Sequence, residues 1–332
     1  MNKKHLGFLI FLLLNVVFLP PTLMAENRVV VLTGVLEEQA SVAGSGLTNC
    51  IGAIKEALKK DNIPAEFLYS NLNETAGEAV IAEEAKKTVE KIESMKPRAL
   101  IVLNDYRIKY VATQITDIPI VAAYFFNSPQ SIGLPKPNIT GIARGSYAAD
   151  MWKMAHQLTG GKTVGMLSKK SFAMDGIRKI MFARAPALEQ ATGVKFTDMY
   201  LCETFAEWQN HVKNWSEDLM YIIDTSRLTE GDRELMPEES TKWTLENAKA
   251  PFFSSNEYDV RYGALFSIVT SDVAWGRQAV EMVKKILAGT PVSDIPMETV
   301  TKGSLFINAK TAEKFKIDIP YEILETADHI YE

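Results

Sequence analysis

The sequence has 332 residues, of which 47% belong to the hydrophobic set and 23% are charged, and its formal net charge is −5. These values are close to those of average soluble globular proteins and argue against disorder, collagen-like repeats and coiled coil. At roughly 150 residues per domain, the length favours about two domains. The net negative charge gives no support for binding nucleic acid, and two cysteines exclude a disulfide-stapled scaffold and a four-cysteine zinc site.

The first 25 residues have the pattern of a secretory signal peptide. Lys3 and Lys4 precede a charge-free apolar run over 6–19, and Ala25 stands just before a polar start. The alternative is an uncleaved membrane anchor, but the run is shorter than the roughly 20 residues that a spanning helix needs. No cysteine stands at the expected start of the mature chain. We therefore expect cleavage after 1–25 and a periplasmic protein without a lipid anchor.

Between residues 28 and 122, short apolar runs alternate with longer amphipathic segments. This alternation predicts strands at 28–32, 65–69, 98–103 and 118–122, and helices at 47–60, 77–95 and 106–115. Because the strands are almost entirely apolar and are separated by helices, they predict a parallel sheet that is covered on both faces.

A break rich in proline and glycine follows over 127–145, and the alternation then starts again. It predicts helices at 148–158, 176–190, 205–215, 238–248 and 272–287, and strands at 163–167, 194–201, 219–223 and 251–254. Two successive series with a break between them predict an α/β protein of two Rossmann-like lobes with parallel sheets.

Few patterns of catalytic chemistry are present. His156, His211 and His329 each stand alone, none at the spacing of metal ligands, and the sequence has no nucleophile elbow and no phosphate loop. We therefore expect no catalysis, no cofactor and no metal site. An exported hydrolase or transferase is a weaker alternative, because no nucleophile–base pair is visible.

Polar residues cluster instead where the predicted strands end. In open α/β sheets, ligands bind beyond these carboxyl ends, where helix N-termini present free N–H groups. For each single residue, ordinary helix capping is the alternative, because Asn, Asp and Ser are favoured caps in any protein. The candidate ligand-binding residues of this kind are Asn104, Asp105, Asn127, Ser128, Ser168, Asp224, Thr225, Asn256 and Glu257.

Two regions of the sequence resemble a known family of exported proteins. The motifs that carry the resemblance are Ser128-Pro129, Gly133-Leu134, Asn138-Ile-Thr-Gly141, Gly263-Ala264-Leu265, Gly276-Arg-Gln-Ala279, Leu305-Phe-Ile-Asn308 and Ile317-Asp-Ile-Pro320. In order and spacing they are similar to the ABC-transporter substrate-binding proteins of the periplasmic type-I fold. The branch that they resemble includes binders of tryptophan and other aromatic amino acids.

The resemblance implies two discontinuous lobes joined by a three-crossing hinge. Cys50 and Cys202 then lie on different lobes, which argues against a disulfide between them and favours buried free thiols. Ligand binding in such a fold closes the lobes about the crossings. The implied lobes are 26–141 plus 264–301 and 142–263 plus 302–332.

The resemblance also implies a small ligand, amino-acid-like or amine-like, held between the lobes. Asp224 and Glu257 are expected to hold a ligand ammonium. Asp105 would compete with a ligand carboxylate for helix N–H groups, so either Asp105 points away or the ligand is not a simple α-amino acid. Four aromatic residues are expected to stack on an apolar part of the ligand, with lobe core as the alternative: Phe125 and the candidate site residues Tyr106, Phe126 and Tyr258.

The function implied by the resemblance is that of a monomeric extracytoplasmic solute receptor. It would hand its ligand to the membrane permease of an ABC transporter and would bind no nucleic acid. A second hypothesis keeps the fold but makes the protein a periplasmic sensing subunit, which reports ligand occupancy to a membrane kinase or receptor.

Overall fold

The computed structural model of the protein describes residues 28–34, 46–70, 72 and 77–332. The expected signal peptide at 1–25 lies outside the described residues. None of the helices in the described part of the chain is long and apolar enough to cross a membrane.

Fifteen strands alternate with eleven helices over the described residues. The strands are Val29–Thr33 (β1), Ala65–Tyr69 (β2), Ala99–Leu103 (β3), Ile120–Ala123 (β4), Ile139–Ala143 (β5), Thr163–Lys169 (β6), Lys195–Cys202 (β7), Leu219–Asp224 (β8), Thr229–Glu230 (β9), Arg233–Glu234 (β10), Phe252–Ser254 (β11), Phe266–Thr270 (β12), Glu298–Thr299 (β13), Gly303–Asn308 (β14) and His329–Tyr331 (β15). The helices are Gly46–Lys60 (α1), Glu78–Met95 (α2), Asp105–Tyr110 (α3), Ala148–Thr159 (α4), Phe172–Thr192 (α5), Phe205–Lys213 (α6), Pro237–Asn247 (α7), Glu257–Tyr262 (α8), Asp272–Leu287 (α9), Ala309–Lys314 (α10) and Tyr321–Thr326 (α11).

The first lobe is built on a sheet of six parallel strands in the order β13-β5-β4-β3-β1-β2. Every residue of β1, β3 and β4 is buried, because helices cover both faces of the sheet. One face packs on α2 and α3 through Ile92 and Ile108. The other face packs on α1 and α9 through Ile54 and Trp275.

Helix α9 comes from late in the chain and lies directly on α1. A Cβ atom at Gly276 would come 2.4 Å from the carbonyl oxygen of Cys50, so the approach of the two helices requires glycine there. The same packing brings Asp272, the first residue of α9, beside Gly46, the first residue of α1.

The second lobe is built on four parallel strands in the order β11-β8-β6-β7. One face of this sheet packs on α4 and α5, whose Trp152 and Met181 are buried against it. The other face packs on α6, and the indole nitrogen of Trp208 donates a hydrogen bond of 2.8 Å to Thr244 of α7. Each face of the sheet therefore has its own core.

A third, three-stranded sheet completes the second lobe in the order β12-β14-β15. Phe266 of β12 stacks on Phe253 with ring centroids 5.2 Å apart, and Phe253 stacks on Tyr221 at 4.8 Å. The division at 141, 263 and 301 stays a prediction. Because β12 pairs with β14 and packs on the second-lobe sheet, we propose that the second crossing comes after Thr270 rather than before residue 264.

The predicted fold class is confirmed: the chain forms two α/β lobes with parallel sheets, joined by three crossings. We propose that the crossings follow β5, β12 and β13. The two cysteines are free and buried, one in each lobe, as expected.

Several predicted boundaries need correction. The helix expected at 106–115 ends at Tyr110 and is followed by the 3-10 turn Ala112–Gln114, because β-branched residues such as Val111 and Thr113 are weak helix formers. The helix expected at 176–190 begins earlier, since the hydroxyl of Ser171 accepts a hydrogen bond from the backbone N–H of Met174 and caps it. The proline-rich break contains β5, which the sequence pattern did not predict.

Candidate ligand-binding cleft

A cavity of about 370 Å³ lies beside the hinge, on the face of the second-lobe sheet that packs on α4 and α5. Most of its lining is apolar, and two arginines stand among the lining residues. The first crossing contributes Arg144, Gly145 and Tyr147, and helix α5 contributes Ile177, Ile180, Met181 and Arg184. The remaining lining residues include Met166, Tyr221 and Ile223 from the second-lobe sheet and Ile268 and Thr270 from β12. A volume of about 370 Å³ lies in the range of small-molecule sites.

The hinge side of the cavity is held together by hydrogen bonds between the crossings. The hydroxyl of Tyr147 donates to the carbonyl oxygen of Val300 at 3.1 Å, which joins the first crossing to the third. The hydroxyl of Thr270 donates to the carbonyl oxygen of Gly145 at 3.4 Å, which joins the second to the first. Burial raises the pKa of Tyr147, so this residue is a neutral hydrogen-bond donor at physiological pH.

The wall formed by helix α5 combines three apolar residues with one cation. Ile177, Ile180, Met181 and Arg184 follow one another at the spacing that places side chains on one helix face. Ile180 is 55% exposed, which is unusual for so large an apolar side chain and marks an open apolar wall. Arg184 is exposed and forms no ion pair or hydrogen bond with the other described residues.

An aromatic cluster of the first lobe faces the same hinge. The rings of Tyr124 and Phe126 meet edge to face at 5.3 Å, and the Phe126 ring lies 5.9 Å from that of Trp275. Phe126 is 54% exposed. Arg144 places its guanidinium carbon 5.5 Å from the Phe126 ring centroid, so this hinge cation caps the aromatic cluster.

A half-buried carboxylate lies next to these aromatic rings. A Cβ atom at Gly46 would come 2.6 Å from both Asp272 Oδ2 and the Tyr124 hydroxyl, so these two groups converge on the glycine. Burial raises the pKa of Asp272 to about 6, and the positive charge of Arg144 acts in the opposite direction. Burial also raises the pKa of Tyr124, and the Asp272 carboxylate raises it further.

None of the twelve predicted ligand-binding residues lines the cavity. One of them, Phe126, contacts Arg144, which does line it. Asn104 is the N-cap of α3, and its side-chain oxygen accepts a hydrogen bond of 3.0 Å from the backbone N–H of Tyr106. The Asp105 carboxylate accepts from the backbone N–H groups of Phe126 and Asn127 and from the Asn127 side chain at 2.9 to 3.2 Å. Asp105 therefore turns toward the neighbouring loop rather than toward its own helix N-terminus.

These loops form a smaller cavity of about 200 Å³ on the first lobe. Asp105, Tyr106 and Asn127 line it, and Tyr106 stacks on Tyr110 with ring centroids 5.8 Å apart. Ser128 is next to this cavity and caps the 3-10 turn Pro129–Ile132. The predicted first-lobe residues are thus brought together, but Phe126 is the member that reaches the hinge.

The predicted second-lobe residues are brought together around a buried carboxylate that the sequence analysis missed, Asp259. The Thr225 hydroxyl donates to it at 3.0 Å, and the hydroxyls of Thr241 and Ser254 donate at 2.9 and 2.5 Å. Burial raises the pKa of Asp259. This carboxylate therefore ties the loop after β8 to α7 and to the end of β11.

The remaining second-lobe candidates serve local structure. Asp224 accepts from the backbone N–H of Ser226 at 2.8 Å, and the amide nitrogen of Asn256 donates to the carbonyl of Ile223 at 2.9 Å. Glu257 contacts the Tyr331 hydroxyl and Arg261. Ser168 is buried, and its hydroxyl donates a hydrogen bond to the carbonyl oxygen of Lys169. Tyr258 is partly buried, and burial raises its pKa. A ligand contact by any of them stays a prediction.

The sequence analysis missed Arg144, Tyr147, Arg184 and Asp272. Arg144 and Asp272 come after β5 and β12, two strands that the sequence pattern did not predict, and neither Tyr147 nor Arg184 directly follows a strand. Two of the lining side chains lie one or two positions before predicted candidates: Met166 comes before Ser168, and Ile223 comes before Asp224. Arg144 stands three residues after the first lobe boundary that the resemblance implies, at residue 141. A charged residue at a crossing was therefore the signal that could have identified it. In the described part of the chain, no three His, Cys, Asp or Glu residues are grouped as metal ligands.

Comparison with known proteins identifies relatives of this fold. The family profile described as ABC transporter substrate binding protein matches residues 39–331. No curated protein matches the chain.

Three solved structures cover 92% of this chain and 99% of their own chains. One is a ligand-free, open substrate-binding protein with adhesive properties from Clostridium difficile, at 17% identity and a TM-score of 0.71. Another is the ABC domain from Streptococcus pneumonia in complex with L-Trp, at 18% identity and a TM-score of 0.56. A conserved domain protein from Vibrio cholerae has the same identity and TM-score as the L-Trp complex. At such identities, the likeness concerns the fold.

Proposed function

Because the chain belongs to the ABC transporter substrate-binding protein family, we propose that it is a periplasmic solute receptor without catalytic activity. It captures a small ligand between its two lobes and delivers it to the permease of an ABC transporter. It works as a monomer, binds no nucleic acid and reaches the periplasm through the signal peptide expected at 1–25.

The observation that carries this proposal is the position of Arg144. It lines the cavity of the second lobe and also contacts the Phe126 ring of the first lobe. Burial raises the pKa of Asp272 in the first lobe and of Tyr221 in the second, and the positive charge of Arg144 partly offsets the rise in both. Because Arg144 lies at the hinge and interacts with both lobes, it can bind an anionic group of the ligand when the lobes close around that ligand.

The charges beside the hinge favour an amino-acid-like ligand. Arg144 is exposed and forms no ion pair within 4 Å with another described residue, so its guanidinium is free to bind a carboxylate. Asp272 is positioned to bind an ammonium group, and the rings of Tyr124 and Phe126 flank both. In this arrangement Asp272 takes the ammonium-binding role that the sequence analysis gave to Asp224 and Glu257.

A thermal-shift screen tests the proposal with ligands that share one apolar body. L-phenylalanine carries both charges, 3-phenylpropionate lacks the ammonium, and phenethylamine lacks the carboxylate. A bound ligand stabilises the protein by RT ln(1 + [L]/Kd), about 2.7 kcal/mol at a hundredfold excess over Kd. We expect amino acids to shift the unfolding midpoint more than either truncated analogue. If no compound in a broad library of amino acids, amines and small acids shifts the midpoint, the proposed function is wrong.

A second experiment tests delivery separately from binding. The ATPase activity of the permease complex, reconstituted in proteoliposomes, is measured with the ligand-free and the ligand-loaded receptor. We expect stimulation by the loaded receptor. Binding without any effect on the permease complex would favour the sensing role instead.

A further inference from the structure

The cleft contains a second cation that the proposed ligand leaves unpaired. In the proposed site, Arg144 takes the ligand carboxylate and Asp272 takes the ammonium. Arg184 also lines the cavity, and no described carboxylate lies within 4 Å of it. Asp150, in the first turn of α4 near Tyr147, does not line the cavity.

Lobe closure makes this unpaired charge significant. Arg184 is now exposed, so water solvates its guanidinium group. Closing the first lobe over α5 would remove that water, and a buried cation without a partner is costly. A ligand that supplies an anion to Arg184 avoids this cost, whereas a neutral side chain does not.

The wall between the hinge and Arg184 has the character of an alkyl-binding surface. Ile177, Ile180 and Met181 lie on the same face of α5 as Arg184 and line the same cavity. An apolar linker can pack on these side chains while its two ends reach the two arginines.

We propose, on the basis of the proposed function, that the ligand carries a second acid group joined to its amino-acid head by an apolar chain. Arg184 is the residue that determines specificity for this second acid group. The receptor therefore prefers ligands with one net negative charge over neutral amino acids of the same length.

The experiment is calorimetric titration of the full chain with L-norleucine and L-2-aminoadipate. Their side chains have the same length, but one ends in a methyl group and the other in a carboxylate. We expect 2-aminoadipate to bind at least tenfold more tightly to the wild-type protein. Arg184→Met should remove this difference and Arg184→Lys should retain part of it, while Arg178→Met is the control on the same helix, because Arg178 pairs with Asp198.

The outcomes separate this inference from the proposed function. Equal affinities for the two ligands, or a preference that survives in Arg184→Met, would overturn the inference. If a neutral ligand from the screen binds while 2-aminoadipate does not, the proposed function stands and the inference is wrong. If no compound binds, both are wrong. Unchanged unfolding midpoints of the ligand-free variants would show that the exposed Arg184 can be replaced without loss of folding.

Discussion

Arg144 lies with its guanidinium carbon 5.5 Å from the centre of the Phe126 ring. The two residues come from different parts of the hinge region, since Arg144 directly follows β5 and Phe126 stands in the loop after β4. An exposed cation–π contact contributes only about 0.5 to 1 kcal/mol, so a ligand carboxylate can compete for the guanidinium. The contact therefore orients Arg144 without occupying its hydrogen-bond donors.

Replacing Arg144 should weaken ligand binding without unfolding the protein. Charge-assisted hydrogen bonds contribute about 1.5 to 3 kcal/mol, so Arg144→Gln should raise Kd roughly 10- to 100-fold in calorimetric titration. The midpoint of the ligand-free variant should stay within about 2 °C of wild type, because Arg144 forms no ion pair with the described residues. Arg277→Gln is the matched control, since Arg277 pairs with Glu56 on an outer groove of the first lobe. Equal effects of both variants on Kd would contradict the assigned site.

Replacing Asp272 should stabilise the ligand-free protein, and only at high pH. Its folded pKa of about 6 lies above its ordinary value of 3.8, so ionisation of the folded protein is penalised. Protonated Asp272 therefore stabilises the folded protein fully below about pH 4, and this stabilisation is lost as the pH rises through about 6. We expect Asp272→Asn to raise the free energy of unfolding by on the order of 1 kcal/mol at pH 8, after discounting for solvent screening, and to leave it unchanged at pH 4.

Thermal unfolding of wild type and Asp272→Asn from pH 4 to pH 8 checks this expectation. Asp61→Asn is the control, because Asp61 lies on the protein surface and pairs with Lys284. A stabilisation of Asp272→Asn that is the same at pH 4 and pH 8 would show that the effect does not come from the charge.

Ligand affinity should fall when Asp272 is protonated. An ammonium group binds the ionised carboxylate, so the affinity for an amino acid should decrease below about pH 6, at most tenfold per pH unit. Titrations between pH 5 and pH 8 measure this slope. Asp272→Asn should flatten the profile, and 3-phenylpropionate, which has no ammonium, should not show it. A slope that persists in Asp272→Asn would assign the titration to another group.

Two glycines of α1 give a matched pair of alanine substitutions. A Cβ atom at Gly46 would come 2.6 Å from Asp272 Oδ2 and from the Tyr124 hydroxyl, whereas a Cβ atom at Gly52 meets nothing within 4 Å. Gly52→Ala should stabilise the helix by about 0.5 to 1 kcal/mol and raise the midpoint by about 1 to 3 °C. Gly46→Ala should lower the midpoint and weaken ligand binding at least tenfold, because Asp272 and Tyr124 must move. Unfolding curves and titrations of the two variants compare these effects, and similar behaviour of both would argue against a role for the Asp272–Tyr124 pair.

The fold could be predicted from the sequence because its main signal is local. Strands such as Ala99–Leu103 are apolar throughout, and helices such as Asp272–Leu287 have clear ends, so alternation alone predicted parallel sheets. Strands β12 and β14 escaped prediction because polar residues such as Ser267 and Ser304 interrupt their apolar runs and both strands are only partly buried. Whether Phe266 packs with one lobe or the other is decided by contacts that no local pattern contains.

The site was harder to predict because its residues are ordinary when read one at a time. Asp224 and Asn256 follow strands, as ligand contacts do, yet their hydrogen bonds close local turns. Arg144 and Asp272 are 128 positions apart and acquire their significance from the packing of α9 on α1, which brings Asp272 to the hinge. Strands β6 and β8 contribute Met166, Tyr221 and Ile223 to the candidate cavity, and all three come before the strand ends on which the sequence analysis concentrated.

Alkylation of the two buried thiols can measure the opening of each lobe separately. Cys50 lies in the first-lobe core and Cys202 in the second-lobe core, and burial raises the pKa of both, that of Cys202 to about 12. A thiolate alkylates by attacking the reagent and displacing its leaving group, and burial both blocks the reagent and disfavours the thiolate, so each residue is protected while its lobe is folded. Labelling at Cys50 therefore records opening of one lobe and labelling at Cys202 records opening of the other. With no engineered label, mass spectrometry of the modified peptides can report whether a ligand protects both lobes or only one.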